Sequence, residues 1–303
     1  MGVIAGVTMA ALILAGVNVA CTGIAALLIK AALGSSNLDS IYKLLSFSQG
    51  VDIFGNYWNA INTAFNVIKP FGIALITTYF ILHMYDIATK DQLTIDSLIK
   101  SMIGLVLAIG IFGNMYTIVN TTISVGDTML SKLQTELTGT GSFDGDWKLN
   151  DKSITEMEGD EIFKELNGNA WGVFTGSADT GVGLMLQALV IWLIHQIAVI
   201  AIDLAAISRI IEIGWRTILS PIGCANAFDG GANAPAIKYL KTLAGVILSG
   251  PAMYIIAVIG YNIAYGIFAY NKEGIGMFAS AAAVLATAGA SIGIGNKVKE
   301  VVS

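Results

Sequence analysis

Six separate apolar runs, at residues 3–29, 71–88, 95–123, 182–205, 240–268 and 275–294, most constrain what this chain can fold into. A helix that crosses a bilayer needs about 20 consecutive apolar residues, and most of these runs reach or exceed that length. Charged residues make up only 12% of the 303 positions. Soluble domains carry about a quarter, so this chain has too little polar surface to coat a water-exposed globule of its size. The expected fold is all-α: a polytopic helical membrane protein of about six transmembrane helices. Five crossings remain if the first run is cleaved or does not span. That first run is longer than a signal-peptide core and has no Lys or Arg before it, so it is expected to be retained.

Between these runs the sequence divides into unlike segments. Residues 1–33 read as an N-terminal transmembrane helix and 34–69 as amphipathic helices lying at the membrane interface. In the latter, Ile41, Leu44, Leu45, Ile53, Tyr57, Ile61, Phe65 and Ile68 recur at helical spacing, with Asn56, Asn59, Asn62 and Asn66 on the other side. Lys69-Pro70 is expected to open the second span, since proline is tolerated where a first helical turn lacks amide partners. Residues 70–123 hold the second and third spans, and 124–180 read as an acidic loop without helical period. Residues 181–303 hold spans four to six around a basic connection at 206–240. The fourth helix is expected to run to Leu219 and end at Pro221 and Gly223. Gly250-Pro251 is expected to kink the fifth. Asp229-Gly230-Gly231 and Asn271-Lys272-Glu273-Gly274 read as turns.

Charge sets the expected orientation. Lys90 and Lys100, then Arg209, Arg216, Lys238 and Lys241, then Lys297 and Lys299 mark the short connections and the C-terminus as cytoplasmic. The 124–180 segment carries eleven acidic residues against four lysines, a net −7, and falls on the opposite side. Such a surface repels DNA phosphates and suits basic partners.

Few residues carry reactive chemistry. Arg209, Glu212 and Arg216 are spaced three and four apart and share one helix face among Ile210, Ile211, Ile213 and Trp215. Two readings stay open. One is an ion-pair ladder marking the membrane boundary; the other is a face that binds a subunit or polyanion, or lines an aqueous path. His195 and Asp203, eight apart, are candidate intramembrane polar residues that could relay protons. His83 and Asp86 read as a cap or interface pair. Cys21 and Cys224 have neither metal-ligand nor disulfide-framework spacing. No HExxH, G-x-S-x-G or Walker lysine occurs, so neither catalysis nor a cofactor or metal is expected.

Several stretches, taken in order, resemble a known family. They are Asn66-Val67-Ile68-Lys69-Pro70-Phe71-Gly72, Leu98-Ile99-Lys100-Ser101-Met102, Arg209-Ile210-Ile211-Glu212 with Arg216, Ser220-Pro221-Ile222-Gly223, Asp229-Gly230-Gly231 and Ile237-Lys238-Tyr239-Leu240-Lys241. Their order is similar to that of the TrbL-like polytopic membrane component of type IV secretion and conjugative transfer machines, in the Gram-positive type, over residues 50–123 and 182–268. The resemblance implies a scaffold or channel subunit in the bacterial plasma membrane. Such a subunit forms a homo-oligomer, assembles with other secretion subunits and ATPases, and serves translocated DNA–protein complexes. It also implies that Arg209, Glu212, Arg216, Pro221, Lys69 and Pro70 are structural and assembly residues. Two other functions stay open: a small-solute or ion transporter, and a holin-like pore-forming protein. Transporters are often built from paired broken helices, and Gly250-Pro251 has no clear counterpart in the first half of this chain.

Overall fold

The computed structural model describes residues 2–33, 36–47, 51–90, 94–139, 147–149, 151–158, 161–162, 165, 181–223, 225, 235–270 and 274–302. The helices are α1 (Gly2–Leu33), α2 (Ser36–Leu45), α3 (Val51–Thr89), α4 (Ile95–Gly113), α5 (Met115–Gly139), α6 (Gly181–Gly223), α7 (Pro235–Tyr270) and α8 (Gly274–Val302). A two-stranded antiparallel hairpin, β1 (Lys148–Leu149) and β2 (Lys152–Ser153), lies between α5 and α6, with Asp151 in the left-handed region at φ 64°. Six segments are long and apolar enough to cross a membrane: Val19–Leu45, Gly55–Thr89, Ile95–Gly113, Met185–Gly223, Ala236–Tyr270 and Gly276–Val298. The fold is therefore the expected all-α, multi-pass one.

Large apolar side chains point outward in numbers that water would penalise. On α4, Ile95, Met102, Ile103, Val106 and Leu107 are each more than half exposed, and only 11% of that helix's most apolar window is buried. On α3, Val67, Phe71, Ile81 and Tyr85 are exposed in the same way. Contiguous patches on this scale face lipid or a partner.

Several expected boundaries move. Residues 34–69 do not form a block of interfacial helices ending at Lys69-Pro70; α3 runs unbroken from Val51 through Pro70 to Thr89. Leaving the helix in lipid would strand further amides and carbonyls, which costs more than the single bond proline removes. The run at 95–123 is not one helix. Asn114 caps α4, its amide side chain donating to the Gly110 carbonyl at 2.9 Å and its backbone N–H donating to Ile111. The segment from 124 is not loop at its start, because α5 continues to Gly139. Thr121, Thr122 and Thr128 fold their hydroxyls back onto carbonyls four residues earlier, which satisfies these polar groups within the helix. The basic tail with Lys297 and Lys299 is the end of α8. The break at Gly34-Ser35, Asp91, Cys224, the turns at 229–231 and 271–273, and most of the acidic segment from 140 to 180 lie outside the described residues.

The chain divides into two compact units. The first comprises residues 1–42, 133–204 and 254–292. Its buried faces have helical spacing: Ala188, Ile191, His195, Ala198 and Ile202 on α6; Tyr254, Ala257, Tyr261, Ala264 and Phe268 on α7; Met277, Ala281, Val284, Ala288 and Ser291 on α8. Helices α7 and α8 touch at Gly260, where an added Cβ would lie 2.0 Å from the Thr287 hydroxyl. Small residues permit this approach between membrane helices. Trp147, fully buried before β1, anchors the hairpin by packing on His195, Tyr265 and Phe268 at ring separations of 6.0, 6.0 and 5.3 Å. Lys152 reaches Glu161 at 3.0 Å. That contact, with a bond from the Glu158 amide, holds the Glu161 carboxyl below its usual range, so the pair's contribution is present above that range and lost as pH falls through it.

The second unit comprises residues 43–132, 205–253 and 293–303. Phe65 and Ile76 of α3, Phe112 of α4, Met115, Val119 and Ile123 of α5, Ile213 of α6, and Leu243, Val246 and Ile247 of α7 form its core.

Candidate functional site

The second unit is organised around a buried arginine. Arg209 is only 6% exposed, and its Nε, Nη1 and Nη2 donate to the carbonyls of Val246 (3.0 Å), Leu45 (3.2 Å) and Ile247 (2.7 Å). Two of these acceptors have a clear origin in the sequence. A helical carbonyl normally accepts from the amide four residues later. For Ile247 that residue is Pro251, which has no N–H. Leu45 is the last residue of α2, where carbonyls lack helical partners and the dipole favours a cation. Arg209 thus supplies a donor that proline removed from α7 and caps α2. Gly250 makes room for it: a Cβ there would meet Cζ, Nη1 and Nη2 of Arg209 at 2.4–2.5 Å. The Phe47 ring lies 5.4 Å from the guanidinium carbon, and the Phe47 amide donates to Asp127 Oδ1 at 3.0 Å. Asp127 also acts on Arg209 through its charge, so a carboxylate lies near this cation without being one of its hydrogen-bond acceptors.

The expected three-charge face therefore divides its work. Arg209 fastens α7 and α2. Arg216 pairs with Glu212, Nη2 to Oε1 at 2.9 Å and Nε to Oε1 at 3.0 Å, with both side chains less than a fifth exposed. One turn away, Tyr57 donates to the Ile210 carbonyl at 3.1 Å and lies against Gly214, where any side chain would collide with its hydroxyl.

Pro221 lies inside α6 and meets Gly72 of α3: a Cβ on Gly72 would stand 2.2 Å from the Pro221 Cβ. The carbonyl that Pro221 leaves without an amide belongs to Thr217, and the Ser220 hydroxyl donates to it at 2.8 Å. Tyr239 packs against Gly223 and donates to the Arg216 carbonyl. The Lys69 side chain reaches toward the end of α4, where a Cβ added at Gly113 would lie 3.7 Å from its Cε and 3.8 Å from its Nζ. A helix C-terminus suits a cation. Pro70 sits within α3, and its surface is exposed.

Beside this centre is a groove of about 620 Å³ between α3 and α5. Phe47, Trp58 and Ile123 provide its apolar floor, and Asn59, Ser124 and Asp127 provide polar atoms. Trp58 is fixed by an indole bond to Asn120 Oδ1 at 3.2 Å and by ring contacts with Tyr116 and Phe47. Burial pushes the Tyr116 hydroxyl above its ordinary pKa.

In the first unit, His195 is fully buried and its Nδ1 donates to the Ile191 carbonyl at 3.0 Å. In the neutral ring this leaves Nε2 as an acceptor. Asp203 lies two turns further along α6, about 12 Å of helical rise, which is too far for direct proton exchange between the two. Sequence reasoning did not single out Phe47, Tyr57, Asp127 or Trp147 as site residues. The available signal was the Gly250-Pro251 pair, which frees a helical carbonyl and implies a donor from another helix. Among the described residues no group of three His, Cys, Asp or Glu side chains could hold a metal ion. No family model matches the chain, and no curated protein or solved structure matches it.

Proposed function

We propose that this chain is a plasma-membrane scaffold or channel subunit of a type IV secretion or conjugative DNA-transfer machine, working by oligomeric helix packing rather than by catalysis. The observation that carries this reading is the use made of the residues on which the family resemblance rests. Arg209 binds main-chain carbonyls, Pro221 seats on Gly72, and Arg216 pairs with Glu212. The first two join one helix to another and the third braces α6 along its own face, as an assembly core requires. The expected basic connection at 206–240 is helix to Gly223 and again from Pro235, so in this reading the C-terminus, the end of α6 and the start of α7 with Lys238 and Lys241 face the cytosol, and the acidic segment faces outward. Any DNA in transit then meets the inner basic residues or another subunit.

The first test is native mass measurement after detergent extraction. A large homo-oligomer, or co-purification with secretion ATPases, supports the proposal. A monomer that moves a small solute in liposomes contradicts it. That outcome would favour a transporter, for which the unpartnered polar atoms inside the first unit are the supporting observation. A second prediction concerns Glu212. Glu212→Lys places two cations one turn apart where an ion pair stood, at a cost of about 3 kcal/mol. Assembly and transfer are expected to be lost in the Glu212→Lys variant and restored by the added change Arg216→Glu. Normal assembly by the single variant would show that the pair does not matter to the complex.

A further inference from the structure

The groove of about 620 Å³ between α3 and α5 lies wholly within the second unit. Small-molecule sites are clefts of about 300–1,000 Å³ with an apolar lining and a few placed polar groups. The wall on α5 follows from spacing: Asn120, Ser124, Asp127 and Ser131 recur three or four residues apart and share one helix face. Trp58 and Asn59 of α3, with Phe47 ahead of that helix, form the other wall. The protein's own bonds hold these walls in place. The Trp58 indole donates to Asn120 Oδ1 at 3.2 Å, and its ring contacts Tyr116 and Phe47. The Phe47 amide donates to Asp127 Oδ1 at 3.0 Å. The Thr128 hydroxyl is turned back onto the Ser124 carbonyl at 2.9 Å. Gly55 leaves the groove open at one point, since a Cβ added there would meet nothing within 4 Å.

Charge selects the ligand. Among the described residues lining the groove, Asp127 is the one that carries a charge, and none is basic. Arg209 is near Asp127 but is not part of the lining; it is buried and gives its three nitrogens to main-chain carbonyls. The groove thus sets a carboxylate beside an indole and a phenyl ring. An anion would meet the carboxylate with no lining cation to offset it. An ammonium group gains twice, from a charge-assisted bond to the carboxylate and from attraction to aromatic rings. The side-chain oxygens of Asn59 and Ser124 can accept its remaining N–H groups, and Trp58 and Ile123 offer apolar surface to the rest of the molecule. We propose that this groove is a binding site for an organic ammonium group carried on an apolar body. The site is independent of the secretion reading.

The test uses the full-length protein in lipid nanodiscs at pH 7, with 5-fluorotryptophan at its five tryptophan positions. The fluorine line of Trp58 is identified by its loss in Trp58→Phe. Two probes are titrated, 4-phenylbutylammonium and 4-phenylbutanol, which share one apolar body and differ in charge; empty nanodiscs correct for partition into lipid. The expected result is a saturable shift of the Trp58 line, with half-saturation by the ammonium at about a tenth of the alcohol's concentration. Asp127→Asn keeps an oxygen for the Phe47 amide and removes the charge, so it should bring the two probes together. Gly55→Leu fills the open space with a better helix former, so it should abolish the shift without lowering Tm. Equal half-saturation by the two probes, no shift with either, or an ammonium shift that survives Gly55→Leu would overturn the proposal. The comparison of probes is made on the unmutated chain, so it decides even if a variant fails to fold.

Discussion

Gly250→Ala should lower the unfolding free energy by about 3–5 kcal/mol, because one methyl group displaces the guanidinium at the centre of the second unit. The added carbon would lie 2.4 Å from Arg209 Cζ. An arginine tip can normally swing aside at little cost. Here it is pinned by three donated bonds and by the Phe47 ring, so moving it gives up bonds to a charged donor worth about 1.5–3 kcal/mol each. In thermal unfolding of the detergent-solubilised protein, the expected drop in Tm is about 10 °C. Arg209→Ala should cost a similar amount, since it leaves the Ile247 carbonyl without either proline's missing amide or its substitute. Arg209→Lys should recover little, because one ammonium on a flexible stem cannot reach three carbonyls in the plane that a guanidinium offers. The decisive comparison is the double variant. Once Arg209 is gone, the Gly250 methyl has nothing to displace, so the combined loss should fall well short of the sum. Additive losses would show that Gly250 and Arg209 do not act on each other.

Gly72→Ala is expected to be as damaging, for a different reason. Its new Cβ would stand 2.2 Å from the Cβ and 2.8 Å from the carbonyl carbon of Pro221, and neither atom can rotate away. Overpacking of this kind costs about 1–3 kcal/mol where neighbours yield, and more where ring and backbone cannot. The suppressor pattern is specific. Pro221→Ala keeps a Cβ in the same place and should not rescue Gly72→Ala. Pro221→Gly removes the nearest opposing carbon and leaves the backbone contact, so it should rescue in part. Equal rescue by both would mean that the contact is not the one described, and thermal unfolding of the single and double variants reads the difference.

These two contacts also mark how far the sequence could be read. The membrane-crossing helices are legible because an apolar run of spanning length has few other fates in a chain with so little charge. The ends of helices are less so. Asn114 sits in a run that hydropathy alone continues to residue 123, and only its cap geometry reveals the break. Residues 124–139 look like loop because they alternate small and polar types, yet Val119, Ile123 and Leu130 give α5 a buried face. Pro70 looks like a helix start; lipid instead favours carrying the helix through it. For the site, the charged face at Arg209, Glu212 and Arg216 is visible as spacing along one helix. The acceptors of Arg209 are not, since they lie 37, 38 and 164 residues away. Long-range partners of this kind follow from the packing of α2, α6 and α7, which no local pattern encodes.

What most directly tests the multi-pass reading is how the full chain partitions. Membranes from cells expressing it, washed in alkaline carbonate to strip peripheral proteins, should retain the chain in the pellet and release it only into detergent micelles, because Phe71, Met102, Val106 and their neighbours face acyl chains. A chain recovered in the wash and monodisperse in plain buffer would contradict the account, since those same side chains would then be stable against water.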